Sequence, residues 1–209
     1  MLRWRSAAVR LLLAWGVLSA LALGWARPLL APMLPLAAQC AQLLLPAFAS
    51  QLHDDGNGLT TEIVGTFSAR ENIRIVEGFS LDRGRKIEPR VTLIHHWVPV
   101  VILNALLWAV PVIAWRQRLL LITLGVALSP LLISATLAVH LTGLIELSFS
   151  DVYAQAGVAG PQPWLLDSMI FLEGGGNWLL PVLLALGCAQ MVARHPGTVY
   201  FSSSERRDK

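Results

Sequence analysis

The stretch LLLITLGVALSPLLISATLAVHLTGLI, Leu119–Ile145, decides the class of this chain. Only Thr123, Ser129, Ser134, Thr136, His140 and Thr142 interrupt its apolar residues, and they leave no polar face for water. A helix of this length exceeds the ~20 residues that cross the hydrocarbon of a bilayer. Three further apolar runs accompany it, Ser6–Ala26, Trp97–Trp115 and Leu165–Val192. The chain therefore reads as an α-helical integral membrane protein with four transmembrane helices and a small extracytoplasmic antiparallel β element. A soluble all-α core would require polar helix faces. Composition points the same way: 55% of residues are hydrophobic and 14% charged, against ~25% charged in soluble domains.

The net charge of +3 reports topology. Arg3, Arg5 and Arg10 precede the first run, Arg116 and Arg118 sit between the second and third, and Arg194, Arg206, Arg207 and Lys209 follow the fourth. With four crossings all three clusters fall on one side, which places both termini in the cytoplasm of a bacterial inner membrane. The segments Gln51–Ile94 and Glu146–Pro163 then face outward. Because the basic clusters flank membrane runs and form no single basic face, a nucleic-acid partner is excluded, and lipid is the expected surrounding.

The expected organisation has five parts. Residues 1–27 form a cytoplasmic N-terminus and signal anchor. The arginine-rich start, the apolar run and Gly24-Trp25-Ala26 also resemble a secretory signal, but Arg27-Pro28 is a poor cleavage context, which favours an uncleaved anchor. Residues 28–52 are broken by Pro28, Pro32, Pro35 and Pro46. Between those prolines Leu36–Leu45 reads as a helix too short to span, lying in the outer interface with its apolar side among the acyl chains. Residues 53–94 form the outer β region: a turn at Asp54-Asp55-Gly56-Asn57-Gly58, then strands over Leu59–Phe67, Asn72–Phe79 and, more loosely, Ile87–Ile94. Its unpaired edge is suited to adding a partner's extended peptide. Residues 95–193 hold the remaining three spans, and 194–209 form a cytoplasmic tail.

Few residues carry chemistry. The acidic turn fails the EF-hand register, since His53 and Val64 fall where acids are required. His95-His96 meets the second span beside Trp97; adjacent histidines point apart on a helix, so interfacial anchoring outweighs a shared metal. Cys40 and Cys188 have no redox spacing. His140, with Glu146 about two turns on, places ionisable groups in or near the membrane, where a functional role is the default hypothesis. The most distinctive string is Glu173-Gly174-Gly175-Gly176-Asn177, ahead of Pro181. Its glycines permit either close helix approach or local unwinding, and Glu173 and Asn177, one turn apart, can face one neighbour. The candidate working residues are thus Glu173, Gly174, Gly175, Gly176, Asn177, His140, Glu146, His95 and His96, with no metal and no cofactor.

No GxSxG elbow or HExxH helix is present, which speaks against familiar serine and zinc chemistries. The order of parts, an N-terminal anchor, the proline-broken stretch Pro28–Pro46, a short outer β region and further spans, resembles the exosortase-associated small membrane proteins, particularly those accompanying exosortase H. The resemblance covers most of the chain and implies a non-catalytic accessory role in bacterial envelope protein sorting, with a separate exosortase as the enzyme and partner. A small-molecule or proton-handling protein built on His140, Glu146 and Glu173, or an assembly component of a secretion or conjugation apparatus, are the alternatives.

Overall fold

The computed structural model describes residues 2–56, 62–111 and 115–194. Helix α1, Leu2–Leu30, continues through a single 3-10 turn into α2, Leu34–Leu44. Six short strands follow among the described residues: β1 Phe48–Asp54, β2 Glu62–Ala69, β3 Ile73–Val76, β4 Phe79–Leu81, β5 Lys86–Ile87 and β6 Arg90–Thr92. The rest is helical: α3 Ile94–Ala109, α4 Trp115–Gln155, α5 Trp164–Phe171, a π-type turn Leu172–Gly176 and α6 Asn177–Arg194.

Among the described residues, three helical segments are long and apolar enough to cross a membrane, Ala7–Trp25, Trp115–Gln155 and Trp164–Arg194. The run expected over Trp97–Trp115 differs. Its helix starts earlier, at Ile94, and stops at Ala109, a length of 16 residues. At 1.5 Å per residue that is about 24 Å, short of a ~30 Å hydrocarbon core. Pro111 explains the stop, because proline drives the preceding residue out of the α region, and Val110 has ψ 124°. The expected end of that run falls partly on residues 112–114, outside the described residues. So do Asn57–Thr61 of the expected turn and first strand, and the tail from His195 onward.

Helix α4 corrects a second expectation. It runs ten residues past Ile145, through Glu146, Ser148, Ser150 and Asp151. Its 41 residues reach about 60 Å, twice the hydrocarbon thickness. The extension carries the sheet: Phe149 stacks on Phe48 with centroids 6.2 Å apart, and Val152 and Tyr153 pack against the same core. Helix α1 runs unbroken through Ala26-Arg27, and Pro28 lies inside it.

Helix α2 has its small-residue face, Ala37 and Ala41, fully buried, and it packs on α4 and β1. Two hydroxyls fix it there. Ser50 Oγ donates to Ala38 O at 2.7 Å, and Ser134 Oγ to Met33 O at 3.4 Å. One face of α2 thus docks against the bundle, while Leu43 on another side stays exposed.

The sheet is larger than the three expected strands. β2 is its middle, antiparallel to β1 on one side and to β5 and β6 on the other. β5 and β6 share one register, Phe67↔Ile87 and Val64↔Arg90, and are two halves of one row. Pro89, which has no N–H to give the ladder, interrupts that row. On one face Ile63 and Phe67 are fully buried. Between them, a Cβ on Gly65 would lie 3.4 Å from Leu141 of α4. β3 and β4 form a separate hairpin whose loop residue Gly78 has φ 86°.

Candidate functional site

The first turns of α3 set two adjacent histidines on opposite sides. His95 is exposed, and His96 is 1% exposed. His96 reaches α4, where its Nδ1 lies 3.4 Å from Thr136 Oγ1. The Thr136 hydroxyl donates to the carbonyl of Leu132 at 2.9 Å, so its lone pairs are left to accept the His96 N–H. One turn further along α4, His140 Nδ1 lies 2.9 Å from Thr136 O. A carbonyl only accepts, so His140 carries its proton on Nδ1 and directs Nε2 elsewhere. The two imidazoles meet edge to face, with centroids 4.8 Å apart and an interplanar angle of 87°.

His140 Nε2 faces Glu173 Oε1 at 3.7 Å. With Nδ1 committed, this contact is attractive only when the pair holds one further proton, on the imidazole or on the carboxyl. Glu173 is positioned by the glycine string. Three glycines sustain a regular helix poorly, and here the chain opens into a wider turn over Leu172–Gly176, with Gly175 at φ 140° and ψ −9°. This break is a kink between α5 and α6, and it re-aims the side chains beside it. The local-unwinding reading of this string therefore holds. Close approach does not: a Cβ on Gly174 or Gly175 would meet nothing within 4 Å. Gly176 is tight only against its own helix, 2.7 Å from a ring carbon of Phe171. The close helix approach lies at Gly143, where a Cβ would sit 2.8 Å from Met169 Cβ and 3.1 Å from Leu165 O.

Together these elements enclose a cleft of about 550 Å³. One wall is β6, with Arg90, Val91 and Thr92; the floor is His95, His96 and Val98 of α3 and His140 and Leu144 of α4; the far wall is Met169, Leu172, Glu173, Asn177 and Trp178. Arg90 is already engaged, its guanidinium 3.2 Å from Asp55 and 3.8 Å from Glu62. Asn177 Oδ1 is buried with no hydrogen-bond partner among the described residues.

Of the residues expected to matter, His95, His96, His140, Glu173 and Asn177 thus converge on one cleft. Glu146 stands apart. Its carboxylate accepts the backbone N–H of Leu166 at 2.7 Å, in the first turn of α5, where Pro163 offers no side-chain cap. It satisfies an orphan helix N–H and suits the positive end of the helix dipole. Thr136, read in the sequence only as a break in apolarity, organises both histidines; its position four residues before His140 on one helix face was the available signal. Among the described residues, no three histidine, cysteine or acidic side chains are grouped to hold a metal ion. No family model, curated protein or solved structure matches the chain.

Proposed function

We propose that this chain is a non-catalytic accessory subunit of a bacterial membrane enzyme, and that it receives part of that enzyme or of its substrate in the cleft beside β6. One observation carries the reading. Arg90, Val91 and Thr92, three consecutive strand residues, all line the cleft. Successive strand side chains point to opposite faces of a sheet, so a cleft touching all three runs along the strand's edge. An edge strand is a template for another chain, and here it is set against polar side chains on helices apolar enough to lie in a membrane. The order of parts resembles exosortase-associated proteins, and exosortase-type envelope protein sorting is the setting we propose. In this account α3 makes a fourth crossing, aided by local thinning of the bilayer. Both termini are cytoplasmic, and the sheet and cleft lie outside the inner membrane.

A second reading, a proton-handling or small-molecule role, has in its favour the contact of His140 with Glu173 and the buried His96 behind it. The two readings part at His140→Ala. An accessory loses at most one lining contact of the cleft and still recovers its partner, whereas proton handling fails outright at unchanged protein level. The primary test is affinity purification of the tagged chain from its native membrane in mild detergent, with cross-linking and mass spectrometry. Recovery of one membrane enzyme in stable proportion, cross-linked through Glu62–Ile94, is expected. Recovery of the chain alone would overturn the reading.

A further inference from the structure

We propose that the occupant of the cleft is an extended polypeptide segment that adds to the sheet along β6 and sets a lysine, arginine or amino-terminal ammonium against Glu173. The proposal rests on the accessory reading and specifies what the cleft receives. Backbone direction comes first. Gly65 N–H donates to Pro89 O at 3.0 Å, and β2 and β6 pair as Ile63↔Val91 and Val64↔Arg90. In an antiparallel ladder, hydrogen-bonded and non-hydrogen-bonded pairs alternate. Pro89 and Val91 therefore turn their backbone groups toward β2, while Arg90 and Thr92 turn theirs outward. Among the described strands, β6 pairs with β2 alone. The outward groups of Arg90 and Thr92 are a donor-and-acceptor pattern that a neighbouring strand completes.

Charge selects the occupant. The cleft's one arginine is held by Asp55 and Glu62. Across from it, the Glu173 side chain is 60% exposed, and the side chain facing it is the His140 imidazole at 3.7 Å. Beside it, Asn177 Oδ1 is a buried acceptor without a donor among the described residues. Pro99 and Pro181, which have no N–H, also deprive the carbonyls of His95 and Asn177 of their α-helical donors. A cationic side chain supplies up to five N–H donors, whereas an anionic segment would meet Glu173 with like charge. A lipid ethanolamine also carries an ammonium, but it has no backbone to complete the outward pattern of Arg90 and Thr92.

The test uses the full chain in lipid nanodiscs and fluorescence anisotropy of labelled heptapeptides of alternating threonine and valine. Their central residue is lysine, norleucine or glutamate, and a fourth peptide carries N-methyl groups on alternate backbone nitrogens around the lysine. The lysine peptide should bind roughly 10- to 100-fold more tightly than the norleucine peptide, the equivalent of one charge-assisted hydrogen bond. The glutamate and N-methylated peptides should bind more weakly still. Glu173→Gln should erase the lysine preference. Thr92→Pro should weaken every peptide, because it removes an outward N–H and leaves the bonds of Val91 to β2 intact. Should Thr92→Pro fail to fold, Glu173→Gln alone decides. Binding indifferent to charge and to both variants overturns the proposal, as does displacement of the lysine peptide by ethanolamine-headgroup lipid with no effect of Thr92→Pro. A partner cross-linked at the cleft together with no peptide binding refutes this inference and leaves the accessory reading standing. Purification of the chain alone refutes the accessory reading whatever the peptides do.

Discussion

Replacing Gly143 with alanine puts a methyl group 2.8 Å from Met169 Cβ and 3.1 Å from both Leu165 O and Met169 Sδ. Carbon atoms in good contact stand ~3.5–4.0 Å apart, so α4 and α5 must separate by roughly 0.7–1.2 Å. A carbonyl and a Cβ belong to the neighbouring backbone and cannot rotate away. Overpacking of this kind costs about 1–3 kcal/mol. The same substitution at Gly174 meets nothing within 4 Å at a residue with ordinary helical angles. It should be neutral or stabilise by up to ~1 kcal/mol through helix propensity. Gly175→Ala forces a side chain into φ 140° and should cost about 1–3 kcal/mol in strain alone. The three variants, unfolded in detergent by denaturant titration, should therefore rank Gly174→Ala above both others. Equal losses at positions 143 and 174 would show that the glycine string is a packing surface after all, and the account of Glu173's placement would fall with it.

Four further outcomes follow from the geometry. Glu146→Leu leaves the Leu166 N–H without its acceptor and should cost ~0.5–2 kcal/mol, the scale of a lost N-cap, read by the same denaturant titration. Phe67→Ala empties a fully buried site between sheet and helices and should cost about 3–5 kcal/mol, with early proteolysis in the sheet as a second readout. Thr136→Val keeps the carbonyl bond to His140 and removes the hydroxyl facing His96; it should lower stability by ~1 kcal/mol and shift the His96 imidazole signals in NMR while sparing backbone resonances of β2. Glu173→Gln should change stability by less than ~1 kcal/mol, since its contact with His140 is solvent-exposed on the carboxylate side.

Much of this molecule could be read from its residues, and the parts that could not have physical causes. Leu119–Ile145 announces a membrane-length helix because no polar face interrupts it. The glycine string announces an irregularity, since glycine penalises regular helix wherever it clusters, but the choice between close approach and unwinding needed the neighbours around it. Glu173, Asn177 and His140 do share one cleft, but the break at Gly175 and the packing of two different helices bring them there, which spacing along one helix does not encode. β1 was hidden because the apolar run ends at its first residues and Ser50, Gln51, His53 and Asp54 give it no clear alternation, so it shows itself only through its pairing with β2. A strand's identity depends on that pairing more than on its own composition. The end of α4 was hidden by Glu146, Ser148, Ser150 and Asp151, which look like a loop. Yet Ile145, Phe149, Val152 and Tyr153 recur at helical spacing, and they are the residues that pack against the sheet. The shortness of α3 was hidden in turn because apolar residues continue past Pro111. The two histidines of α3 could not be separated in role without knowing which face α4 covers.

The central claim, that the β6 cleft is the working surface of an accessory subunit, is tested most directly by photo-cross-linking in native membranes. One cross-linker replaces Thr92 on the cleft wall, and another replaces Leu43, exposed on α2. The account predicts a single discrete protein adduct from position 92, lost with Val91→Pro, which breaks the β2–β6 bonds, and no such adduct from position 43. Adducts from position 43 alone, or lipid adducts alone from position 92, would contradict it.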